Sequence, residues 1–180
     1  MSTCDNEAMT VTRPLTPGDV DTVAELLRVN RDFLAPWEPV RDDEYYTAHG
    51  QLAVIEGALA RPDSVHPRVI LNEAGRVAGR ITLSEITRGP VQSCSLGYWV
   101  SAGDNGRGLA TAAVGEVIAV AFSDLGLHRI QAGTLTHNVR SQRVLERNGF
   151  TRIGIAPAYL NIAGRWQDHI LFQVVAEQAG

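Results

Sequence analysis

The 180-residue chain lacks the features typical of secreted and membrane proteins. It has two cysteines, Cys4 and Cys94, too few for a disulfide framework. No apolar run approaches the roughly 20 residues that a membrane-spanning helix needs. The first nine residues also lack the basic start and apolar core of a signal peptide. We therefore expect a cytoplasmic protein that does not associate with membranes.

The chain also lacks an excess of basic residues. It carries 16 Lys and Arg against 20 Asp and Glu, a formal net charge of −4. Because nucleic-acid binding depends on basic side chains that neutralise phosphates, this balance argues against a nucleic-acid partner and mildly favours a cationic substrate such as an amine. The five histidines show no metal-ligand spacing, so we expect no metal.

The patterns that are present predict one domain over residues 10–176, with a disordered tail at 1–9 and a second tail at 177–180. Helical periodicity follows Thr16, spans 43–60, runs from the glycine-rich loop to Gly126, and follows Asn138. Strand patterns cover 11–15, 69–71, 77–86, 94–100 and 129–134, and shorter strands follow. Helices separated by a run of antiparallel strands predict an α+β or mixed α/β fold.

The stretch Leu96–Thr111 predicts a strand, a glycine-rich turn over residues 103–108 and a long helix. The N–H groups of the turn and the positive end of the helix dipole form a site for a phosphate-bearing ligand. Glycine is needed because a side chain would block the close approach of an anion. The familiar nucleotide fingerprints are absent, since Thr111 stands where a third glycine would be and no lysine follows. The loop Asn105–Ala110 suits a diphosphate, with Arg107 as a basic neighbour.

Further motifs surround this loop: Phe33–Trp37, Leu96–Tyr98, His128–Ile130, His137–Ser141, Gly149–Phe150, Tyr159–Leu160 and Gly164–His169. Together they resemble the GNAT superfamily of acetyl-CoA N-acetyltransferases over roughly residues 10–176. They are most similar to the RimJ/RimL branch, which acetylates the N-terminal alanine of ribosomal proteins. The resemblance implies a GNAT fold: a central, mostly antiparallel mixed sheet that is splayed at the acetyl-CoA site and flanked by helices.

The same resemblance implies the residues that hold acetyl-CoA. The end of the strand supplies free backbone N–H groups near Val100 for the acetyl carbonyl, whereas the side chain of Trp99 is equally suited to packing. Asn138 caps its helix and hydrogen-bonds the pantetheine arm. The family's loop usually begins with Gln or Arg, and this chain has Asn there. The loop residues implied are Asn105, Gly106, Arg107, Gly108, Leu109, Ala110 and Thr111.

The transfer requires a proton donor for the departing thiolate and a route for the proton of the amine. Many relatives place a tyrosine donor at the position of Leu145, so the branch resemblance implies Ser141 in its place. The ordinary alternative for Ser141 is an exposed serine in the first helical turn. Glu85 is the first candidate for the base, ahead of Asp168 and Glu38, although each is more often a structural or solvated charge.

The acceptor cleft is expected to be lined by Trp37, Glu38, Tyr159 and Asp168, although Trp37 is equally suited to plugging one end of the domain. A ring beside a carboxylate suits a cationic amine. Cys94 has no neighbouring base, which excludes an acetyl-cysteine intermediate and favours direct transfer.

Three interpretations remain open for the function. The preferred acceptor is the α-amine of a protein, and the alternative enzyme acetylates a small amine or an antibiotic. The third is a non-catalytic acetyl-CoA sensor, which only the loss of the usual tyrosine at Leu145 favours. The sequence does not determine the oligomeric state, and a homodimer is the expectation from the frequency of such assemblies.

Overall fold

The computed structural model describes residues 10–177, which fold around a single seven-stranded sheet. Residues 1–9 and 178–180, assigned to the predicted tails, lie outside the described residues. The strands are β1 (Thr12–Pro14), β2 (His66–Leu71), β3 (Val77–Thr87), β4 (Ser93–Val100), β5 (Arg129–Leu135), β6 (Thr151–Ile162) and β7 (Arg165–Val175). The helices are α1 (Val20–Val29), α2 (Arg31–Leu34), α3 (Ala48–Leu59), α4 (Leu109–Ala119) and α5 (Val139–Arg147).

The sheet is mixed and mostly antiparallel, as predicted. Its strand order is β1-β2-β3-β4-β5-β7-β6, and every neighbouring pair except β4 and β5 is antiparallel. A parallel pair needs a crossover connection, because the chain must return to the end of the sheet at which the first strand began. The glycine-rich loop and α4 lie in that crossover.

The parallel pair separates soon after it forms. Only Ser93, Cys94 and Ser95 of β4 pair with β5, whereas β4 continues to Val100 and β5 to Leu135. The second halves of the two strands therefore share no ladder, and the predicted splay of the sheet is confirmed.

Helices cover both faces of the sheet. Val69 and Ile70 are neighbours on β2, and successive side chains of a strand point to opposite faces. Val69 packs in a cluster with α1 and α3, and Ile70 packs in a larger cluster with α4. Each face thus has its own apolar core.

Three predicted elements differ from the structure. The helix predicted over 43–60 is broken, because Thr47 is extended (φ −97°, ψ 158°) and caps α3 by accepting a hydrogen bond from the Gly50 N–H at 3.1 Å. The long helix after the loop changes to a π-helical turn over Val120–Asp124. The expected short C-terminal strands are two long ones, β6 and β7.

A largely buried carboxylate fixes the start of α1. Asp19 accepts hydrogen bonds from the Thr16 N–H at 2.9 Å and from Arg13 Nη1 and Nη2 at 2.8 and 2.6 Å. The Asp19 carboxylate therefore reaches back to the cap of the helix, as the sequence predicts. The hydrogen bond from Arg13 is the main cause that lowers the pKa of Asp19 to about 2.

The Asp19→Asn variant is expected to lose about 1–2 kcal/mol of unfolding free energy at neutral pH. A carboxyl whose folded pKa is depressed stabilises the fold above its unfolded pKa. That contribution is lost as the pH falls toward the folded value of about 2. The difference between wild type and variant should therefore shrink between about pH 4 and pH 2.

Urea unfolding of both proteins at several pH values measures this difference. Glu25→Gln is the control, because Glu25 pairs with Arg28 on an exposed helix face and its loss should have little effect. A cost for Asp19→Asn that does not change with pH would contradict the assignment.

Candidate active site

A continuous groove runs from the gap between β4 and β5 to the glycine-rich loop. A cleft of about 540 Å³ occupies the gap, and two further cavities of about 410 and 490 Å³ follow it. Tyr98, Asn138 and Ser141 line both the cleft and the first cavity. Val100 and Asn105 line both cavities, so the three spaces are connected.

The end of β4 directs backbone N–H groups into this groove. The Ser101 N–H donates to the Ala78 carbonyl oxygen on the β3 side at 2.7 Å. Because N–H directions alternate along an antiparallel strand, the N–H groups of Val100 and Tyr98 point the other way, toward the gap. No ladder with β5 occupies them there, since the pairing of the two strands ends at Ser95. The gap thus contains donors suited to a developing oxyanion.

The glycine-rich loop has the conformation that its glycines predict. Gly106 and Gly108 have φ of 80° and 81°, in the left-handed region that favours glycine, and Gly108 caps the first turn of α4. Side chains hold the start of the loop: the Ala102 N–H donates to Asn30 Oδ1 at 2.8 Å, and Ser101 Oγ donates to Asp104 Oδ2 at 2.9 Å.

All but one of the predicted loop residues line the groove: Asn105, Gly106, Gly108, Leu109, Ala110 and Thr111. Arg107 does not line it, and its side chain is exposed. The basic residues there are instead Arg140, Arg143 and Arg147 of α5. Sequence reasoning missed them, although their spacing over two helical turns signals one basic helix face beside the loop.

The first turn of α5 brings two hydroxyl groups together. Asn138 Oδ1 accepts from the Ser141 N–H at 3.2 Å, so the predicted cap is present. Ser141 Oγ lies 2.8 Å from the hydroxyl of Tyr98, and burial raises the pKa of Tyr98 to about 12. Tyr98 is therefore a neutral hydrogen-bond partner of Ser141. Leu145, at the position of the usual tyrosine, is fully buried.

Trp37 and Glu38 lie where they were predicted, in the wall of the cleft. The Ala163 N–H donates to the Glu38 carbonyl oxygen at 3.0 Å, which joins this wall to the β6–β7 hairpin. Burial raises the pKa of the Glu38 carboxyl, and the positive charges of Arg41 and Arg80 partly offset that effect.

Glu85 and Asp168 do not line the cleft. Glu85 lies at a bulge in β3 with φ 53°, is exposed, and accepts a hydrogen bond from Ser95 Oγ at 2.5 Å. Asp168 accepts from the Ala158 N–H at 2.9 Å and so stabilises an irregular segment of β6. Both carboxylates are hydrogen-bonded at irregularities of the sheet, Glu85 at a bulge of β3 and Asp168 beside a register shift of β6. Local sequence patterns do not reveal such irregularities.

Tyr159 lies beside the cleft without lining it, and its ring centroid is 5.6 Å from that of His169. His169 does line the cleft, is buried, and its Nδ1 lies 2.9 Å from the Gln167 carbonyl oxygen. Because a carbonyl oxygen only accepts, Nδ1 is the donor in this hydrogen bond. His169 belongs to the Gly164–His169 motif, but no role was predicted for its side chain.

Cys94 is buried, and burial raises the pKa of its thiol to about 12. It is therefore a protonated thiol at neutral pH, which argues against an acetyl-cysteine. Within residues 10–177 no group of side chains is arranged to hold a metal ion, and no helix is long and apolar enough to span a membrane.

Residues 10–151 match the family model described as an acetyltransferase (GNAT) domain. The chain belongs to the GNAT acetyltransferase family. It is 36% identical to the Bacillus subtilis protein named "Probable N-acetyltransferase YjcK", over 91% of this chain and 92% of that protein. It is 33% identical to the Escherichia coli [ribosomal protein uS5]-alanine N-acetyltransferase, over 85% of this chain and 80% of that enzyme.

Among solved structures, Mycobacterium smegmatis RimJ in complex with CoA-disulfide is 30% identical. It superposes with a TM-score of 0.87 over 92% of this chain and 81% of that chain. These findings confirm the predicted family, its branch and its fold. The protein is an N-acetyltransferase of the GNAT type, and acetyl-CoA is its co-substrate.

The Gly108→Ala variant is expected to weaken acetyl-CoA binding by at least about tenfold. A Cβ at Gly108 meets no protein atom within 4 Å, but φ of 81° is strained for alanine and the loop must shift. Gly103→Ala is the matched control, since it also meets nothing and needs no left-handed backbone. Calorimetric titration with acetyl-CoA, alongside thermal melts, measures both variants. Equal affinities would contradict the assignment of the loop.

Proposed function

We propose that this enzyme acetylates the N-terminal α-amine of a protein, with a ribosomal protein that begins with alanine as the preferred kind of acceptor. The observation that carries the proposal is the charge of the cleft. Among the described residues that line it, Glu38 is the one carboxylate, and it stands beside two arginines, Arg41 and Arg80. A ribosomal substrate is also consistent with action in the cytoplasm.

This charge pattern distinguishes between classes of amine. An α-amine has a pKa of about 7.8 and a lysine amine one of about 10.4, so α-amines are far more often neutral at physiological pH. A polyamine carries several positive charges, which two arginines would repel and one carboxylate could not balance. The E. coli relative, named as acting on the alanine of a ribosomal protein, supports the same class of acceptor.

The residues of the groove can then be given roles in direct transfer. The amine nitrogen attacks the carbonyl carbon of the thioester, and the Val100 N–H donates to the oxygen that gains charge. Glu38, directly or through water, accepts the proton that the amine loses. Ser141 donates a proton to the departing sulfur as the C–S bond breaks. Tyr98 returns a proton to Ser141 through the 2.8 Å contact of the two hydroxyls and takes one in turn from water in the cleft.

A peptide panel tests the acceptor. The purified protein is mixed with acetyl-CoA and with peptides that begin with Ala, Ser or Met and contain one internal lysine, and release of free thiol is followed. The matched control for each peptide is the same sequence with a blocked N-terminus. We expect turnover of free Ala peptides and none of blocked ones. Turnover of blocked peptides, or of spermidine and aminoglycosides alone, would overturn the proposal.

Two variants separate the proposed acid from the proposed base. Ser141→Ala should lower kcat by about 10- to 100-fold with little change in the Kd for acetyl-CoA. Glu38→Gln should reduce the dependence of kcat/KM on pH below neutrality, because one of the groups that must lose a proton is gone. Steady-state kinetics between about pH 6 and pH 9 measure both effects. Unchanged turnover in Ser141→Ala, or an unchanged pH profile in Glu38→Gln, would contradict the corresponding role.

A further inference from the structure

Arg80 is a cation of the cleft wall, and one of its N–H donors has no hydrogen-bond partner among the described residues. It lies in the middle of β3, opposite Val69 of β2 and Trp99 of β4, and it lines the cleft. Its Nε atom is buried and has no hydrogen-bond partner among the described residues. A buried polar group without a partner is costly, and a charged one is more so.

The guanidinium is held in position by a neutral side chain. Arg80 Nη1 lies 3.4 Å from Oε1 of Gln51, a fully buried residue of α3. Gln51 is fixed in turn, because its Nε2 donates to the Tyr45 carbonyl oxygen at 2.6 Å. This contact orients the guanidinium and leaves its charge unbalanced.

No carboxylate of the described chain completes the site. The four ion pairs within residues 10–177 do not include Arg80, and Glu38 affects Arg80 only through its charge at longer range. Burial also lowers the pKa of Arg80, and the charges of Tyr45 and Glu38 only partly offset that effect. With Arg41 in the same wall, cations outnumber anions in the cleft.

We propose that Arg80 binds a carboxylate of the acceptor, so that the enzyme selects amines whose carrier also bears an acidic group. The planar guanidinium presents a fork of N–H donors that matches the two oxygens of a carboxylate. The acceptor amine would meet Glu38, and its carboxylate would meet Arg80. This inference rests on the proposed function, since it takes the cleft as the acceptor site.

Two sources can supply the carboxylate. One is an acidic side chain within the first few residues of a peptide, and the other is the α-carboxylate of a very short acceptor. The chemistry at Arg80 is the same for both, so the experiment includes each source with a neutral partner of the same shape.

The test compares kcat/KM for acceptors that differ by one charge. Peptides that begin with Ala carry Glu or Gln at the second, third or fourth position, and Ala-Ala is compared with its C-terminal amide. For wild type we expect a preference of about tenfold or more for the charged member of at least one pair. In Arg80→Gln that preference should fall to about twofold or less.

Arg76→Gln is the control, because Arg76 is an exposed arginine just before β3 and lines neither the cleft nor the two cavities. It should keep the preference of wild type. Arg80→Lys, which keeps the charge and loses the fork, should show an intermediate preference. Thermal melts and acetyl-CoA affinity show whether each variant is folded, and the comparison within wild type does not depend on any variant.

The outcomes distinguish this inference from the proposed function. Equal rates on charged and neutral members of every pair would overturn the role of Arg80 and leave the proposed function intact. A charge preference for Ala-Ala alone, with no turnover of longer peptides, would support the role of Arg80 and overturn the protein N-terminus as acceptor. Failure to acetylate any member would overturn both.

Discussion

The separation of β4 from β5 is the constraint on which the rest of the site depends. A parallel pair that continued past Ser95 would use the N–H groups of Tyr98 and Val100 in its ladder. The groove would close as well. Because the strands part after a short pairing, the sheet gains an interior opening whose walls carry backbone donors. Residues of both diverging strands, among them Val100 and Ala132, pack in the larger apolar core.

The opening also determines where charge is placed. The segment that follows α2 closes over the gap and is joined to the β6–β7 hairpin through Glu38 and Ala163. Glu38 and Arg80 lie on the same wall of the cleft, and both side chains are partly buried. Burial raises the pKa of a carboxyl group, and it disfavours a guanidinium charge that has no partner. One constraint thus brings together the carboxylate that we propose as the base and the arginine that we propose as the carboxylate-binding group.

Sequence reasoning succeeded where the structure depends on local rules. The left-handed backbone angles of the loop require glycine, which stands at Gly106 and Gly108. The spacing from Asn138 to Ser141 is that of a helix cap. Both could be read from a few neighbouring residues. The conformation of the loop, the order of the elements and the identity of the co-substrate were therefore predictable.

It failed where distant segments meet. Glu85 ranks ahead of Glu38 by analogy with strand-end carboxylates of the superfamily. The bulge at Glu85 and the contact of Glu38 with the β6–β7 hairpin are not visible in the sequence. Arg80 fits an ordinary strand pattern, and only the packing of α3 and its Gln51 shows that its charge is buried. The spacing of Arg140, Arg143 and Arg147 predicts one basic face on α5. Only the fold shows that this face lies beside the glycine-rich loop.

The central claim is that the acetyl carbonyl is bound by the Val100 N–H in the gap between β4 and β5. The most direct measurement is the amide NMR spectrum of the protein with CoA and with an unreactive ketone analogue of acetyl-CoA. We predict that the Val100 amide signal differs between the two complexes. The Ser101 amide, which donates to Ala78, should not differ. Binding of both ligands at the glycine-rich loop, with no difference at Val100, would contradict the account.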